Sequence, residues 1–280
     1  MSSLRDIRRR LRSFENIKKI TYAVERITAA RLRRAQTKAE QSRPYFMKMK
    51  EILEKLAASE YSHPLFEQRE VKKIGLVVVT SDKGLAGAYN SNVLAAADDF
   101  LKKYPPENIE LLLWGRKAID YYRRKPWHIG YQLTDWGGKV SFHTIQMFSN
   151  QLIQWFLTGK FDEIWLIHTH YVNMLNRKII VEKFLNIGKP QTGKNTVYLN
   201  YIFEPGPEEI LTEILPRYCV SRFQSALNES YASELASRIV AMQMASRNSE
   251  KLIDELTLIR NRVRQEGITK EIIEISSAQQ

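Results

Sequence analysis

Apolar residues recur at helical spacing over the first thirty residues of the chain. The series is Leu4, Ile7, Leu11, Phe14, Ile17, Ile20, Val24 and Ile27. Its steps of three and four are those of an a/d coiled-coil seam, and the extra short step between Phe14 and Ile20 predicts a three-residue stammer. No proline or glycine precedes Pro44, so helix propensity agrees with the spacing. Pro44 predicts a kink or a short break, and His63 with Pro64 predicts the end of the helix.

The same spacing returns in the last fifty residues. The series is Leu235, Ile239 and Met242, then Leu252, Leu256, Ile259 and Val263, with small residues at Ala232, Ala236, Ala241 and Ala245. Beyond Gly267 the helical pattern continues to Ile273. A single amphipathic helix of this length leaves its apolar seam uncovered, so we expect the two terminal helices to pair antiparallel. The alternative is two independent helices that lie on a globular core.

Between the two helices, short β-branched apolar runs alternate with amphipathic segments. Strands are predicted at residues 71–81, 109–114 and 163–168, with further candidates at 178–184 and 196–203, and helices at 92–104, 117–124 and 141–157. Strands that alternate with helices indicate a layered α/β domain with a mostly parallel sheet. The predicted fold class is therefore α/β: a Rossmann-like domain at residues 71–205 between coiled-coil helices at 1–62 and 207–280.

The positive charge of the chain is concentrated at one end. Residues 1–50 hold fifteen Lys and Arg against four acidic residues, which is +11 of the net +12. A basic helix predicts a negatively charged partner. An Arg-rich, acid-poor start is also typical of a mitochondrial transit peptide, but the helical seam already begins at Leu4, which argues against cleavage.

Composition excludes several other classes of protein. With 44% hydrophobic and 26% charged residues the chain has a globular composition. Its longest apolar run, residues 74–79, is too short to cross a bilayer. Cys219 is the only cysteine, so the sequence predicts no intramolecular disulfide and no metal site built on a cysteine pair.

The turn SDKGLAGAYN at residues 81–90 follows the first predicted strand, where open α/β sheets bind their ligands. It lacks the glycine spacing of a dinucleotide loop and the Gly-Lys-Ser/Thr of a phosphate-binding P-loop. Gly84 and Gly87 are therefore interpreted as turn residues rather than a phosphate site. Asp82 and Lys83 are interpreted as a surface pair.

No catalytic, cofactor or metal site is predicted. His168 and His170 share one face of a predicted strand, yet no Asp, Glu or Cys follows at the spacing of a metal ligand set. No nucleophile, base and orienting group can be assembled from the sequence. The chain does not have the pattern of an enzyme.

Three parts of the sequence carry a resemblance to a known family. They are LRDIRRRLRSFENIKKITYAVERITAARLRRAQ with SRPY, VKKIGLVVVTSDKGLAGAYN, and YIFEPGPEEILTEILPRY followed by ASRIVAMQMASRNSEKLIDELTLIRNRVRQEGITKEIIEI. Together they resemble the γ subunits of the rotary, proton-translocating F-type ATP synthases. The likeness covers the whole chain and is weakest between residues 105 and 195. Ala86 and Ala88 depart from the Cys and Gly that are usual in the family, and Val24, Arg26 and Arg260 also depart from its pattern.

The resemblance implies a central rotor shaft. Such a shaft stands inside a ring of three α and three β subunits and couples ion flow through a membrane c ring to ATP synthesis or hydrolysis on β. The implied partners are the α, β and ε subunits and the c ring, with no direct nucleotide binding, no cofactor and no nucleic acid. The implied location is the cytoplasmic face of the bacterial inner membrane.

The resemblance also implies contact residues, carried over by position. The positions that would face the α/β ring are Arg8, Arg9, Arg10, Lys19, Arg264, Gln265 and Thr269, the last three at a catch loop of β. Phe203 and Glu204 match an aromatic–Glu pair near the polar loops of the c ring. The alternative for each position is an ordinary solvated helix face.

Two other functions compete with the rotor. A nucleic-acid-binding protein would use the basic helix, although the aromatic residues that single-strand binders interleave with their basic residues are few here. An α/β enzyme with helical oligomerisation arms would need a catalytic site, and the sequence offers none.

Overall fold

The computed structural model describes residues 4–57, 63–137, 140–188 and 206–277 of the chain. A long helix lies near each end, and shorter helices and strands alternate between them. In chain order the elements are α1 (Leu4–Ala57), β1 (Ile74–Val79), α2 (Tyr89–Leu101), β2 (Ile109–Trp114), α3 (Arg116–Tyr122), β3 (His128–Leu133), α4 (Phe142–Leu157), β4 (Glu163–Tyr171), β5 (Arg177–Leu185) and α5 (Pro207–Ser277). The strand candidate at 196–203 falls outside the described residues.

The chain divides into two compact units. The helix-pair unit contains residues 1–30 and 238–280, and the α/β unit contains residues 31–237.

The strands of the described chain form one five-stranded sheet in the order β3-β2-β1-β4-β5. The pairs β1–β2, β1–β4 and β2–β3 are parallel, whereas β4 and β5 form an antiparallel hairpin at one edge. This arrangement confirms the predicted α/β fold with a mostly parallel sheet. The order reverses between β1 and β4, as in other doubly wound sheets.

The edge strand β3 was not predicted from the sequence. Half-buried Ile129, Tyr131 and Leu133 alternate with exposed neighbours, so it lacks the continuous apolar run of the central strands. A Cβ at Gly130 would lie 1.6 Å from the carboxylate of Glu110, so a larger residue there would require the Glu110 side chain to move. A short strand that contains glycine gives little signal in the sequence.

The two faces of the sheet are both covered, which explains why β1 is apolar throughout and why β2 is apolar except for the half-buried Glu110. Val77 belongs to a buried cluster with Leu152 of α4 and Phe223 of α5. Leu76 belongs to a second cluster, on the other side, with Val93 of α2. Strands that are buried on both faces have no polar alternation, and this is the pattern that identified them in the sequence.

α1 continues through Pro44 without a break, so the short break predicted there is wrong. A proline inside a helix costs one backbone hydrogen bond and adds a steric clash with the preceding turn. Packing after Pro44 offsets this cost: the ring of Phe46 stacks on Tyr218 of α5 at 5.7 Å, and Met49 and Leu53 are buried.

A largely buried ion pair joins α5 to the edge strand β5. The guanidinium of Arg222 lies 2.8 Å from the Glu182 carboxylate and also donates to the backbone carbonyl oxygens of Lys183 and Phe184. Burial alone would raise the pKa of Glu182, but the hydrogen bond with His168 and the charge of Arg222 outweigh it and lower that pKa to about 2. The pair therefore stays ionised at neutral pH.

We predict that Phe223→Ala destabilises the α/β unit by about 4 kcal/mol, because it removes a fully buried ring and leaves a cavity. The ring packs 5.0 Å from Trp114 and 5.1 Å from Phe148, centroid to centroid. Urea unfolding followed by tryptophan fluorescence measures the loss, since all five Trp lie in this unit. Phe142→Ala is the matched control, because Phe142 is 56% exposed. An equal loss for both variants would contradict the proposed packing.

We predict that Glu182→Gln destabilises the protein at pH 7 by about 3 kcal/mol, because Arg222 is then left mostly buried without its counter-charge. The pKa of Glu182 is lowered to about 2 from 4.5, so its contribution is complete above about pH 4.5 and is lost as the pH falls towards 2. The stability gap between variant and wild type should therefore narrow over that range. Urea unfolding at several pH values tests this. Glu213→Gln, at an exposed ion pair, should show no such gap.

Candidate functional site

The helix-pair unit is built on a regular seam. In α1 the seam follows Leu4, Ile7, Leu11, Phe14, Lys18, Thr21, Glu25 and Thr28, all buried or half-buried. These positions step by three and four without interruption, which makes a continuous heptad pattern. The predicted stammer is therefore wrong. Ile17, Ile20 and Ile27, which were assigned to the seam for their hydrophobicity, are 43%, 62% and 57% exposed.

α5 contributes the facing half of the seam. Its buried and half-buried positions follow Ile239, Met242, Ser246, Ser249, Ile253, Leu256, Arg260 and Val263, again in steps of three and four. Leu252 and Ile259 were predicted to lie in this seam, but they are 38% and 46% exposed. α1 thus places polar residues where large apolar ones were predicted, and α5 does so at Arg260, whereas Ile253 takes the place predicted for Leu252.

The polar residues of the seam satisfy their own hydrogen bonds. The hydroxyl groups of Thr21, Thr28 and Ser249 donate to backbone carbonyl oxygens one turn earlier, at 3.0, 2.6 and 2.8 Å. This local bonding lets a small hydroxyl residue be buried without a partner on the other helix. Because these side chains are small, the two helices can approach closely.

Two polar contacts fix the direction and register of the pair. Lys18 Nζ lies 2.7 Å from Glu250 Oε1, and Gln243 Nε2 donates to Glu25 Oε1 at 2.9 Å. As α1 advances from Lys18 to Glu25, its contacts on α5 move backwards, so the antiparallel pairing is confirmed. The bond from Lys18 lowers the pKa of Glu250. These four residues were not predicted from the sequence, although the seven-residue spacing of Lys18 and Glu25 is a heptad signal.

The outer surface of the helix pair carries many apolar side chains. Those exposed by more than a third include Ile17, Ile20, Tyr22, Ile27, Met244, Leu252, Leu258, Ile259, Ile268, Ile272 and Ile273. Scattered single residues of this kind are normal, but so many on one pair of helices indicate a surface that another protein covers.

The seven predicted ring-contact residues lie on this unit and are all exposed. The register above brings Arg264 of α5 alongside the start of α1, so Arg8, Arg9 and Arg10 lie at the same end of the pair as Arg264, Gln265 and Thr269. Arg9 also pairs with Asp6 at 3.0 Å. Lys19 lies about 15 Å further along α1 by the rise of the helix. The structure therefore brings six of the seven residues to one end of the unit.

Phe203 and Glu204, predicted to face the c ring, lie outside the described residues. The described chain resumes at Gly206, just before α5. The contact predicted for these two residues stays a prediction.

The turn after β1 uses its polar side chains to hold the loops around it. Asn90 Oδ1 accepts hydrogen bonds from the backbone and hydroxyl of Ser81, both at 3.0 Å. The Asp82 carboxylate accepts from the backbone N–H groups of Arg116 at 3.1 Å and Gly137 at 3.4 Å. Asp82 thus ties together the loops that follow three strands, a role that the predicted surface pair with Lys83 did not include.

The two histidines of β4 each lie beside one carboxylate. His168 Nε2 is 3.5 Å from Glu182, and His170 Nδ1 is 2.8 Å from Glu229. Within residues 4–57, 63–137, 140–188 and 206–277, no group of three or more His, Cys, Asp or Glu is placed to hold a metal ion. Over the same residues, no helix combines the length and hydropathy needed to cross a membrane.

Comparison with known proteins extends over nearly the whole chain. A family model described as ATP synthase matches residues 3–280. The ATP synthase gamma chain of Protochlamydia amoebophila is 52% identical over 281 residues, which cover 99% of this chain and 98% of that one. The ATP synthase gamma chain of Moorella thermoacetica is 39% identical and covers 98% and 97% of the two chains.

Solved structures share the fold at lower identity. A chain in the Euglena gracilis mitochondrial ATP synthase (OSCP/F1/c-ring, rotational state 3) superposes with a TM-score of 0.73 at 17% identity, covering 98% of this chain and 93% of its own. A chain in the central stalk/c-ring structure of the Tetrahymena thermophila mitochondrial ATP synthase gives 0.64 at 24% identity, covering 81% and 99%. With the full-length match to the family model and to its relatives, these findings establish that the chain belongs to the ATP synthase gamma chain family.

Proposed function

We propose that this chain is the central rotor subunit of an F-type ATP synthase. It couples ion flow through a membrane c ring to ATP synthesis or hydrolysis on the β subunits by turning inside a ring of three α and three β subunits. The observation that carries the proposal is the antiparallel helix pair, with its polar seam and apolar outer surface, in a chain of the gamma family. The chain is a non-catalytic subunit.

The helix pair has the properties that a shaft needs. Each helix runs through without a break, and the two seams interlock at every turn, so twisting one end transmits torque to the other. Exposed apolar side chains such as Ile20 and Leu258 make contacts that depend little on direction. A surface of this kind can slide within a sleeve of other subunits, whereas directional hydrogen bonds would hold it in one position.

The exposed basic and polar residues of the helix pair provide the directional contacts. Arg8, Arg9, Arg10 and Lys19 meet acidic loops of the α/β ring, where attraction is strongest once water is excluded. Arg264, Gln265 and Thr269 engage a catch loop of β. Contacts of this type change as the shaft turns, because the two helices present different residues to each β subunit in succession.

A second set of contacts connects the chain to the membrane sector. Phe203 and Glu204 meet the polar loops of the c ring, and the ε subunit binds the same rotor. In this proposal residues 1–62 and 207–280 form the shaft, and residues 71–205 form the α/β domain. The complex stands at the cytoplasmic face of the bacterial inner membrane, and this chain reaches the membrane only through its partners.

Co-expression with the α and β subunits of the same genome tests the proposal. We expect a purified complex that hydrolyses ATP and contains one copy of this chain for every three αβ pairs. Omission of this chain is the control. If the chain never joins the ring, the rotor assignment fails, and salt-dependent binding to nucleic acid becomes the function to test.

We predict that Arg264→Ala combined with Gln265→Ala lowers ATP turnover of the assembled complex about fivefold or more, because a charge-assisted contact made during rotation is lost. Subunit stoichiometry should be unchanged, since the seam is untouched. Asn261→Ala with Arg262→Ala is the matched control: it removes an exposed amide and an exposed arginine from the same helix, and turnover should stay within about twofold. Equal turnover for the two double variants would contradict the proposed contact of Arg264 and Gln265 with the catch loop of β.

A further inference from the structure

A second basic site lies in the α/β unit, apart from the ring-contact residues. Arg31, Arg34 and Lys38 line one pocket of about 260 Å³. They are spaced three and four residues apart on α1, so they project from one face of the helix. Like charges at this spacing repel each other and destabilise the helix. Their alignment is favourable only if a negatively charged group binds opposite them.

The other walls of the pocket are rigid and concave. Trp136 is 2% exposed and its indole N–H donates to the carbonyl oxygen of Thr80 at 2.9 Å, while Tyr231 packs edge-on against it at 6.4 Å. Ala35 and Leu227, both buried, also line the pocket. An apolar lining with convergent polar groups is the usual character of a small-molecule site.

The carboxylates near the pocket have partners elsewhere. Glu229 is bound by His170 and by the backbone N–H of Tyr171, at 2.8 and 2.9 Å. Asp82 accepts from two backbone N–H groups, including that of Gly137 at the pocket wall. None of the described lining residues is acidic. In the described chain, Arg31, Arg34 and Lys38 therefore face the pocket without a counter-charge.

One further polar side chain borders the site. The carboxamide of Asn228 lines the pocket, and its Nδ2 is buried with no hydrogen-bond partner in the described chain. Buried amide groups in proteins are rarely left unsatisfied. Because Nδ2 is enclosed, a ligand in the pocket reaches it only if the Asn228 side chain turns, so Asn228 forms a polar wall of the pocket.

We propose that this pocket, lined by Arg31, Arg34, Lys38 and Asn228, binds a small multivalent oxyanion of the pyrophosphate class. Guanidinium groups bind phosphate oxygens through pairs of N–H bonds, and the lysine adds a point charge. The volume suits a compact anion rather than a protein helix, and the aromatic walls exclude water on one side. The site is independent of the rotor contacts, because it uses none of the residues assigned to the ring.

Fluorescence titration of the full-length chain with inorganic pyrophosphate tests the site. Trp136 lines the pocket, so binding should give a saturable change, which sodium chloride at equal ionic strength should not give. Arg34→Gln should weaken binding about tenfold, because one charge-assisted contact is lost. Arg33→Gln is the matched control: Arg33 is the adjacent residue, exposed and not part of the lining, and its loss should change affinity less than about twofold.

A second variant distinguishes a defined binding site from non-specific attraction of pyrophosphate to a basic helix. Asn228→Asp places a carboxylate in the pocket and should abolish the saturable change, with the helical circular dichroism of the wild type retained. Two results would overturn the proposal: no saturation with pyrophosphate, or equal weakening by Arg33→Gln and Arg34→Gln. The second result would mean that the anion is attracted by the net charge of α1 and has no defined position.

Discussion

The helix pair depends on a seam whose polar side chains satisfy their hydrogen bonds within or between the two helices. Thr21, Thr28 and Ser249 occupy seam positions and satisfy their hydroxyl groups within their own helices. Large apolar residues in their place would hold the helices further apart. Ile20 and Leu258 are not part of the seam and lie on the outer surface of the pair. Packing within the pair and contact with partners thus use different residues, which is what a shaft that turns against its surroundings requires.

In the α/β unit, α5 is anchored by two kinds of interaction with different physical roles. Phe223 fills a cluster of aromatic rings and contributes most of the hydrophobic stabilisation at that point. Arg222, one residue earlier, binds the Glu182 carboxylate and two carbonyl oxygens of β5. A mostly buried ion pair adds little net stability over apolar packing, but it tolerates only one alignment of helix and strand. We infer that it sets the position of α5 on the sheet edge.

Sequence patterns predicted the central strands and the two long helices, because burial on both faces and long-range periodicity are strong signals. They failed where hydrophobicity and burial diverge. Ile17, Ile20 and Ile27 were assigned to the seam although Lys18, Thr21 and Glu25 occupy it, and the false stammer followed from that choice. β3 was missed because it is a half-buried edge strand with a glycine. The exposure of the ring-contact arginines was expected from the sequence. Their position at the same end of the helix pair was not, because it depends on the register that the contact between Lys18 and Glu250 sets.

The basic surplus of the first fifty residues, which the sequence presents as one block, is divided by the fold into two environments. Arg8, Arg9 and Arg10 project from a convex, solvated helix surface, where each charge is screened and suits contacts that form and break. Arg34 and Lys38 are exposed as well, but they line a pocket beside buried Trp136, where one small anion can contact both side chains. Charge counted along a sequence therefore identifies a negative partner only in general terms. The shape of the surface that carries the charge decides whether the partner is a passing protein loop or a bound ligand.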